Sequence, residues 1–333
     1  MGRANIYSMQ DVGRKDKHLQ IIQNLEQLHI EGSSAIAIGK FDGIHIGHQA
    51  LLEKVLEKKE EGMVAVVFTF SPSPEEFFKG VSLPVIDTVE EKRENFQNMG
   101  IDILIEYPLT KESAAISPED FMQVILWEKL HAGYVVSGTD LSFGDKGRGN
   151  ADMLAAFAKE HSFLYEEIEK ICIDGKEVSS TAVRSAVTEG DMELVMSMLG
   201  RAYRIGGEVV HGRALGRTIQ VPTVNIIPHK QKLLPPRGVY ATVSDFDGRK
   251  ILGVTNIGCK PTVSNENQIG VETHLFDFDE EIYGEHMVTW LMHYIRPEMK
   301  FENLEALVEQ LQLDEVAGRA YFGEICQDVT NIM

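Results

Sequence analysis

Short apolar runs alternate with amphipathic segments along the first half of the chain. The apolar runs are typical of buried strands and lie at 34–38, 63–70, 101–106 and 134–137. The amphipathic segments predict helices at 48–60, 121–130, 151–161 and 181–187, with an extended stretch at 163–173. Ser117 and Pro118 add a helix-start signal, because serine caps a helix and proline suits its first turn. The alternation predicts an α/β domain whose parallel sheet has helices on both faces.

The second half has strand-like runs with little helix between them. These runs lie at 205–211, 224–227, 238–246, 250–255, 270–278 and 288–295. Asp247 and Gly248 predict a hairpin turn between two of the runs, and an amphipathic helix is expected at 303–321. The pattern predicts a compact antiparallel barrel with a terminal helix. The pattern changes from alternating strands and helices to mostly strands near a short helix at 192–199 that ends at Gly200. We therefore expect two domains, 1–189 and 190–333.

Composition limits the kinds of partner. The 333 residues, 43% of them hydrophobic, are enough for two packed cores. A net charge of −19 argues against general binding to nucleic acid or anionic membranes, although a local cationic site for a phosphorylated small substrate is compatible with it. Cys172, Cys259 and Cys326 form no CxxC pair, which argues against a disulfide framework or a zinc knuckle. Without a membrane-length apolar run or an apolar leader, we expect a cytoplasmic protein with small-molecule partners, and self-association stays open.

A glycine-bearing loop with two histidines joins the first predicted strand to the first predicted helix. Its sequence is Gly39-Lys40-Phe41-Asp42-Gly43-Ile44-His45-Ile46-Gly47-His48. Gly43 and Gly47 let backbone amides approach a ligand, and a helix N-terminus favours phosphate. His45 and His48 are three residues apart, so both rings can face one ligand and stabilise charge on a transferring phosphate. A zinc pair and a solvated loop are the alternatives, and two histidines without a third ligand are weak for zinc.

A second segment, Val178-Ser179-Ser180-Thr181-Ala182-Val183-Arg184, also marks a strand-to-helix junction. Ser180 and Thr181 can cap the helix or donate to phosphate, and Arg184 follows one turn later on the same face. By itself the segment is equally compatible with an ordinary capped helix. Asp140 follows a predicted strand, where such sheets bind ligands, so it is a candidate for nucleotide or flavin contact. The alternative for Asp140 is an exposed loop acid.

The second half carries its own candidate chemistry. A loop at 210–225 contains several glycines and arginines, among them Gly212, Gly216 and Arg217. Thr223 and Asn225 end this loop two residues apart, so on a strand they face the same side, and their oxygens could hold Mg²⁺ together with nucleotide phosphates. The loop is not a Walker A motif, and a basic surface loop beside a strand is the alternative.

Glu272 lies on a predicted strand whose alternation puts it on one face with His274 and Phe276. A carboxylate at this position could orient and deprotonate an attacking hydroxyl. The alternative is a solvent-facing glutamate on an edge strand.

Together these motifs resemble a known family. The two first-half motifs, in this order, resemble the HxGH and SSTxxR signatures of the nucleotidylyltransferase superfamily. Over 34–321 the sequence resembles the prokaryotic bifunctional riboflavin kinase/FMN adenylyltransferases, also called FAD synthetases. Further motifs in that family's order are Leu199-Gly200-Arg201, Leu234-Pro235-Pro236-Arg237-Gly238-Val239-Tyr240, Asn256-Ile257-Gly258, Pro261-Thr262 and Ile295-Arg296-Pro297-Glu298.

The resemblance implies a fold and two reactions. An N-terminal Rossmann-like nucleotidylyltransferase domain would convert FMN to FAD, releasing pyrophosphate. A six-stranded antiparallel β-barrel kinase domain with a C-terminal helix would phosphorylate riboflavin to FMN. Both reactions would use ATP and Mg²⁺, and the first would proceed by attack of a substrate phosphate on the α-phosphorus of the nucleotide.

The resemblance also implies roles for individual residues. His45, His48, Ser180, Thr181 and Arg184 would handle the ATP phosphates and the transition state. The other residues implied in nucleotide or flavin binding are Gly39, Phe41, Asp42, Gly43, Gly47, Asp140, Gly212, Gly216 and Arg217. Thr223 and Asn225 would hold Mg²⁺ with ATP, and Glu272 would be the base for the ribityl 5′-hydroxyl.

Two departures from the family pattern concern these sites. Ser73 stands where the family's Phe-x-Pro-His-Pro has histidine, which puts one ligand contact of the adenylyl site in doubt. Gln220 and Val221 replace glycine and phenylalanine before Pro222, and the lost glycine freedom predicts altered kinase rates. Two other interpretations are that only one activity is retained, or that the chain is a non-catalytic flavin-binding regulator. A regulator needs affinity but no transition-state residues, so the histidines and Glu272 argue against it.

Overall fold

The fold is that of a computed structural model, which describes residues 18–24, 26, 29–211, 223–260 and 268–325. Contacts divide the chain into two compact units, the first ending at Ser180 and the second beginning at Thr181. The domain boundary expected at 189/190 lies nine residues after this observed boundary. Where the two activities divide stays a prediction.

The first unit is built on a six-stranded sheet whose neighbouring strands are all parallel. Its strands are β1 (Gln20–Ile22), β2 (Ser34–Ile38), β3 (Val64–Ser71), β4 (Ile103–Pro108), β5 (Ala132–Gly138) and β6 (Leu164–Ile168). They lie in the order β1-β4-β3-β2-β5-β6, so the direction of winding reverses between β2 and β5. Parallel sheets bind ligands outside the carboxyl ends of the strands at such a reversal.

Helices cover both faces of this sheet, as the sequence pattern predicts. They are α1 (Ile46–Glu60), α2 (Pro74–Lys79), α3 (Val89–Met99), α4 (Pro118–Asp120), which continues as a π-type helix at Phe121–Lys129, and α5 (Ala151–His161). On one face, Leu52 of α1 and Phe96 of α3 pack in a cluster with Val67 of β3. On the other face, Phe121 packs with Phe68, the next residue of β3. Because successive strand residues point to opposite faces, the central strands are buried on both sides.

A small hairpin and two further helices follow β6. The hairpin strands are β7 (Cys172–Ile173) and β8 (Lys176–Glu177), and the helices are α6 (Ser180–Glu189) and α7 (Met192–Leu199). As predicted, α7 ends at Gly200, whose left-handed φ of 67° suits glycine. The stretch predicted as extended at 163–173 is therefore two separate strands, β6 and β7.

The sequence pattern predicts neither β1, α2 nor α3, although α3 helps to build the first unit. Thr88 and Glu91 form a capping box at its start. Arg93 then ties α3 to β4 by donating two hydrogen bonds to Glu106, at 2.9 and 2.6 Å, and Gln23 donates a third at 2.6 Å. Burial acts to raise the pKa of Glu106, but these hydrogen bonds and the charge of Arg93 outweigh it and leave the pKa lowered.

The second unit is a closed six-stranded antiparallel barrel. Its strands are β9 (Tyr203–Val210), β10 (Val224–Ile226), β11 (Gly238–Phe246), β12 (Arg249–Lys260), β13 (Gln268–Leu275) and β14 (His286–Pro297). They lie in the order β10-β13-β12-β11-β14-β9, and β9 closes the ring on β10. The predicted hairpin turn between β11 and β12 is present, with φ of 53° at Asp247 and 75° at Gly248.

A terminal helix, α8 (Leu304–Ile325), packs on the outside of the barrel. Its Phe322 lies in one buried cluster with Val239 of β11. Arg296 of β14 donates two hydrogen bonds to the buried carboxylate of Asp314 in α8, at 2.7 and 2.6 Å. This bidentate pair fixes how the helix is turned against the barrel. The predicted fold class, a helix-covered parallel sheet followed by a barrel and a helix, is thus confirmed.

In the described parts of the chain, no helix combines the length and apolar character needed to cross a bilayer.

We expect Arg93→Met to destabilise the first unit by about 3 kcal/mol at pH 7, because it leaves the buried Glu106 carboxylate without its counter-ion. Since the pKa of Glu106 is lowered from its ordinary 4.5, the stabilisation by the pair is present above that pH and is lost as pH falls through the folded pKa. The difference between wild type and variant should therefore shrink in acid. The measurement is urea unfolding followed by Trp127 fluorescence, with Trp290 replaced by Phe in both proteins. A difference that does not change with pH would contradict this account of Glu106.

Candidate active sites

The loop after β2 adopts an unusual backbone that positions the two histidines. Phe41, Gly43 and Ile44 all have positive φ, of 49°, 83° and 38°. Gly43 also has no room for a side chain, since an added Cβ would lie 2.8 Å from Ile86 Cγ2. The ring of Phe41 is fully buried between His48 and Phe96, so it supports the site from within the core.

His45 and His48 lie face to face at the start of α1. Their ring centroids are 3.8 Å apart and the ring planes differ by 18°. His45 is the N-cap of α1, and its Nδ1 accepts a hydrogen bond from the backbone amide of His48 at 3.3 Å. A Cβ at Gly47 would lie 3.1 Å from His45 Nδ1, so glycine leaves the space that the capping ring occupies. The helix starts two residues before the predicted position, which places His48 in its first turn.

The His48 ring presents an unused polar atom. Its Nδ1 is buried and has no hydrogen-bond partner among the described residues. Burial, the neighbouring His45 and the charge of Lys92 all lower the pKa of His48 well below its ordinary 6.5. A buried polar atom without a partner is unusual in a folded protein and points to a catalytic role or to a bound water or ion. The amides of Ile46 and Gly47 add donors here, because the first turn of a helix has no intrahelical acceptor for them.

Asp42 connects the histidine loop to Ser180, the residue of the second motif at which the first unit ends. Its carboxylate accepts a hydrogen bond from the Ile86 amide at 3.1 Å, and its carbonyl accepts one from the Ser180 hydroxyl at 2.9 Å. Ser180 is the first residue of α6, whereas a capping residue precedes the helix. Its hydroxyl is used to hold the Asp42 loop instead of capping the helix. Thr181 and Arg184 lie further along α6, in the second unit.

Asp140 is exposed and lies just past the carboxyl end of β5, which is the strand next to β2. Gly39 follows β2 directly, and its amide donates to the Phe68 carbonyl of β3 at 3.1 Å. The loops after β2 and β5 therefore flank the reversal in the sheet, as expected for a ligand crevice.

Ser73, the residue that replaces the family histidine, has a local structural use. It is the N-cap of α2 and forms a capping box with Glu76, whose amide donates to Ser73 Oγ at 3.2 Å. Its hydroxyl is thus committed to starting a helix.

In the second unit the three predicted polar residues come together. Asn225 of β10 lies directly opposite Glu272 of β13 in the strand register. Thr223, two residues before Asn225, donates its hydroxyl proton to Glu272 Oε1 at 2.6 Å. The structure thus brings together residues that are 49 positions apart in the sequence.

This cluster lies on the outer face of the barrel. Glu272 pairs with Asn256 of β12, which pairs with Val239, the residue that packs under α8. Cross-strand partners share a face of the sheet. Glu272 and its partner Asn225 are therefore on the same outer face as Val239. The adjacent Thr273 points inward, where its hydroxyl lies 2.9 Å from that of Thr255.

The donor set of the cluster fits Mg²⁺, which prefers oxygen ligands and is often held by few protein groups together with phosphates. The Thr223 proton is committed to Glu272, so the lone pairs of its oxygen are available to a cation. The second carboxylate oxygen of Glu272, Oε2, makes no hydrogen bond within the described structure, so it can accept a proton from a substrate hydroxyl. Gly212, Gly216, Arg217, Gln220 and Val221 lie outside the described residues, so their predicted roles stay predictions.

Comparison with known proteins identifies the family. Residues 27–182 match the family model of FAD synthetase, and residues 199–322 match that of riboflavin kinase. A Haemophilus influenzae protein named bifunctional riboflavin kinase/FMN adenylyltransferase is 35% identical over 308 residues, covering 91% of this chain and 99% of its own. The chain belongs to the bifunctional riboflavin kinase/FMN adenylyltransferase family.

Other comparisons agree on the extent of the match. The Listeria monocytogenes member of the bifunctional family is 34% identical and covers 88% of this chain and 94% of its own. A crystal structure described as a macrolide-efflux protein from Streptococcus pneumoniae has 26% identity and a TM-score of 0.81, covering 90% of this chain and 98% of that one. Within the bifunctional family frame, the histidine site falls in the FAD synthetase segment and the Thr223–Glu272 cluster in the riboflavin kinase segment.

We expect the His48 ring to stay neutral from pH 8 to pH 6, because burial, His45 and Lys92 lower its pKa well below 6.5. NMR of histidine-labelled protein, with the His48 signal assigned by its loss in His48→Gln, measures this directly. The ring signal should not titrate in that range, and a midpoint near 6.5 would contradict the buried, stacked geometry.

Proposed function

We propose that this chain makes FAD from riboflavin in two ATP-dependent steps. The first transfers the γ-phosphoryl group of ATP to riboflavin, giving FMN and ADP. The second transfers the AMP group of another ATP to FMN, giving FAD and pyrophosphate. The observation that carries the proposal is the presence, in one chain, of both family segments, each holding a cluster of polar residues suited to its step.

The kinase step is assigned to the Thr223–Glu272 cluster. Glu272 is held by the Thr223 hydroxyl through Oε1, which leaves Oε2 to receive the proton of the riboflavin 5′-hydroxyl as it attacks. Mg²⁺, held by Thr223 and Asn225, would supply positive charge that neutralises the ATP phosphates. Thr223 would therefore serve both groups, because its proton goes to Glu272 and the lone pairs of its oxygen would be available to the cation.

The adenylyl step is assigned to the start of α1. The α1 amides and the neutral His48 ring would stabilise the charge that builds up when the FMN phosphate attacks the α-phosphorus of ATP. His45 keeps the first turn in place, and Ser180 keeps the loop closed through Asp42. We assign Thr181 and Arg184 to the ATP phosphates and Asp140 to the nucleotide or the flavin.

We place the division of the two activities near residue 190, with 1–189 serving the adenylyl step and 190–333 the kinase step. We also place the protein in the cytoplasm, in keeping with its scattered cysteines.

We expect Glu272→Gln to lower FMN formation from riboflavin by roughly 10²–10⁴-fold, because glutamine keeps the size and one acceptor oxygen but cannot take a proton. FAD formation from supplied FMN should remain, since Glu272 has no part in the adenylyl step assigned to the start of α1. Both rates are measured in the same preparation by separating the flavins.

The matched variant is His48→Ala, which should do the reverse. It removes a preorganised group at the transferring phosphate, so FAD formation should fall by about two orders of magnitude while FMN formation is spared. A kinase rate within twofold of wild type in Glu272→Gln would remove Glu272 from the mechanism. An equal fall of both rates in either variant would contradict the assignment of the two steps to separate sites.

A further inference from the structure

Two neighbouring cations at the start of α3 are in very different surroundings. Arg93 forms an ion pair with Glu106 through two hydrogen bonds. Lys92 is half-buried, and no carboxylate within the described residues forms an ion pair with it. Among the described residues its one hydrogen-bond contact is long, 3.5 Å from Nζ to the Lys40 carbonyl oxygen. An ammonium has three donors, so most of its hydrogen-bonding capacity is unused.

Lys92 lies close to the loop that carries the two histidines. Lys40 lies two residues past the end of β2, in the loop that leads to the histidines. Lys92 belongs to the first turn of α3, which starts after the long connection from the carboxyl end of β3. Its ammonium thus lies at the carboxyl edge of the sheet, close enough to His48 for its charge to lower that ring's pKa.

A cation next to a neutral histidine and the amides of a helix start is suited to bind an anion. Both the ammonium and the helix N-terminus favour negative charge. The nearby Glu106 carboxylate also feels the charge of Lys92, but its hydrogen bonds go to Arg93 and Gln23, so the Lys92 ammonium keeps donors for a negative ligand.

We propose that Lys92 is a further phosphate-binding residue of the adenylyl site, contacting the ATP phosphates bound at the start of α1. The inference rests on the proposed adenylyl transfer. It assigns to α3 a direct part in binding substrate, beyond its packing against the sheet.

The test is Lys92→Met, measured for FAD formation from FMN over a range of ATP concentrations. Loss of a charge-assisted hydrogen bond to phosphate should lower kcat/KM for ATP by about 10- to 100-fold. Inhibition by added pyrophosphate should weaken in parallel, which a merely structural lysine would not cause. Lys92→Arg keeps the charge and should retain most of the activity. Lys92→Gln, which keeps a polar side chain, is measured alongside so that the comparison stands if the methionine variant unfolds.

The matched control is Lys59→Met. Lys59 lies in the last turn of α1, at the other end of that helix, where it is paired with Asp102 at 2.5 Å and bonded to the Gly100 carbonyl at 2.8 Å. Lys59→Met removes the same charge from the same unit as Lys92→Met, so a general effect of net charge would appear equally in both variants.

Three results would overturn the proposal. They are a kcat/KM for ATP within twofold of wild type in Lys92→Met and Lys92→Gln, an equal loss in Lys59→Met, and a parallel loss of riboflavin phosphorylation. Failure of the wild-type protein itself to make FAD from FMN would reject the proposed function, and this inference with it.

Discussion

The proposed adenylyl site depends on a short loop that is supported by two hydrogen bonds accepted by Asp42. The loop needs a left-handed backbone at Phe41, Gly43 and Ile44, which side chains disfavour, so it requires external support. Asp42 provides that support by accepting from the Ile86 amide and the Ser180 hydroxyl. With the loop fixed, His45 can cap α1 and stack on His48, whose buried Nδ1 has no hydrogen-bond partner within the described structure.

The second site is fixed by strand pairing. The register of β10 on β13 places Asn225 opposite Glu272, and the Thr223 hydroxyl then bonds to the carboxylate. Because each of these strands pairs with a neighbour on both sides, the side chains of this proposed site would need little further ordering to bind a substrate. The side chains are thus positioned in two different ways, by the start of a helix in one unit and by the register of two strands in the other.

Much of this could be predicted from the sequence, because the buried strands and most helices have clear apolar periodicity. α3 could not, since Glu91 and Phe96 are its only buried residues and leave no apolar stripe. Its capping box, Thr88 and Glu91, was the signal available. The spacing of His45 and His48 predicts that they meet, but the contacts of Asp42 with Ile86 and Ser180 join residues 44 and 138 positions apart. Such distant contacts follow from the topology of the sheet, which local pattern does not specify.

The central claim is that one chain carries out both steps. The most direct measurement is a time course of purified protein with riboflavin, ATP and Mg²⁺, in which the flavins are separated and ADP and pyrophosphate are quantified. The account predicts that FMN appears first and FAD follows, with one ADP formed for each riboflavin consumed and one pyrophosphate for each FAD made. Riboflavin that yields no FMN, or supplied FMN that yields no FAD, would contradict it.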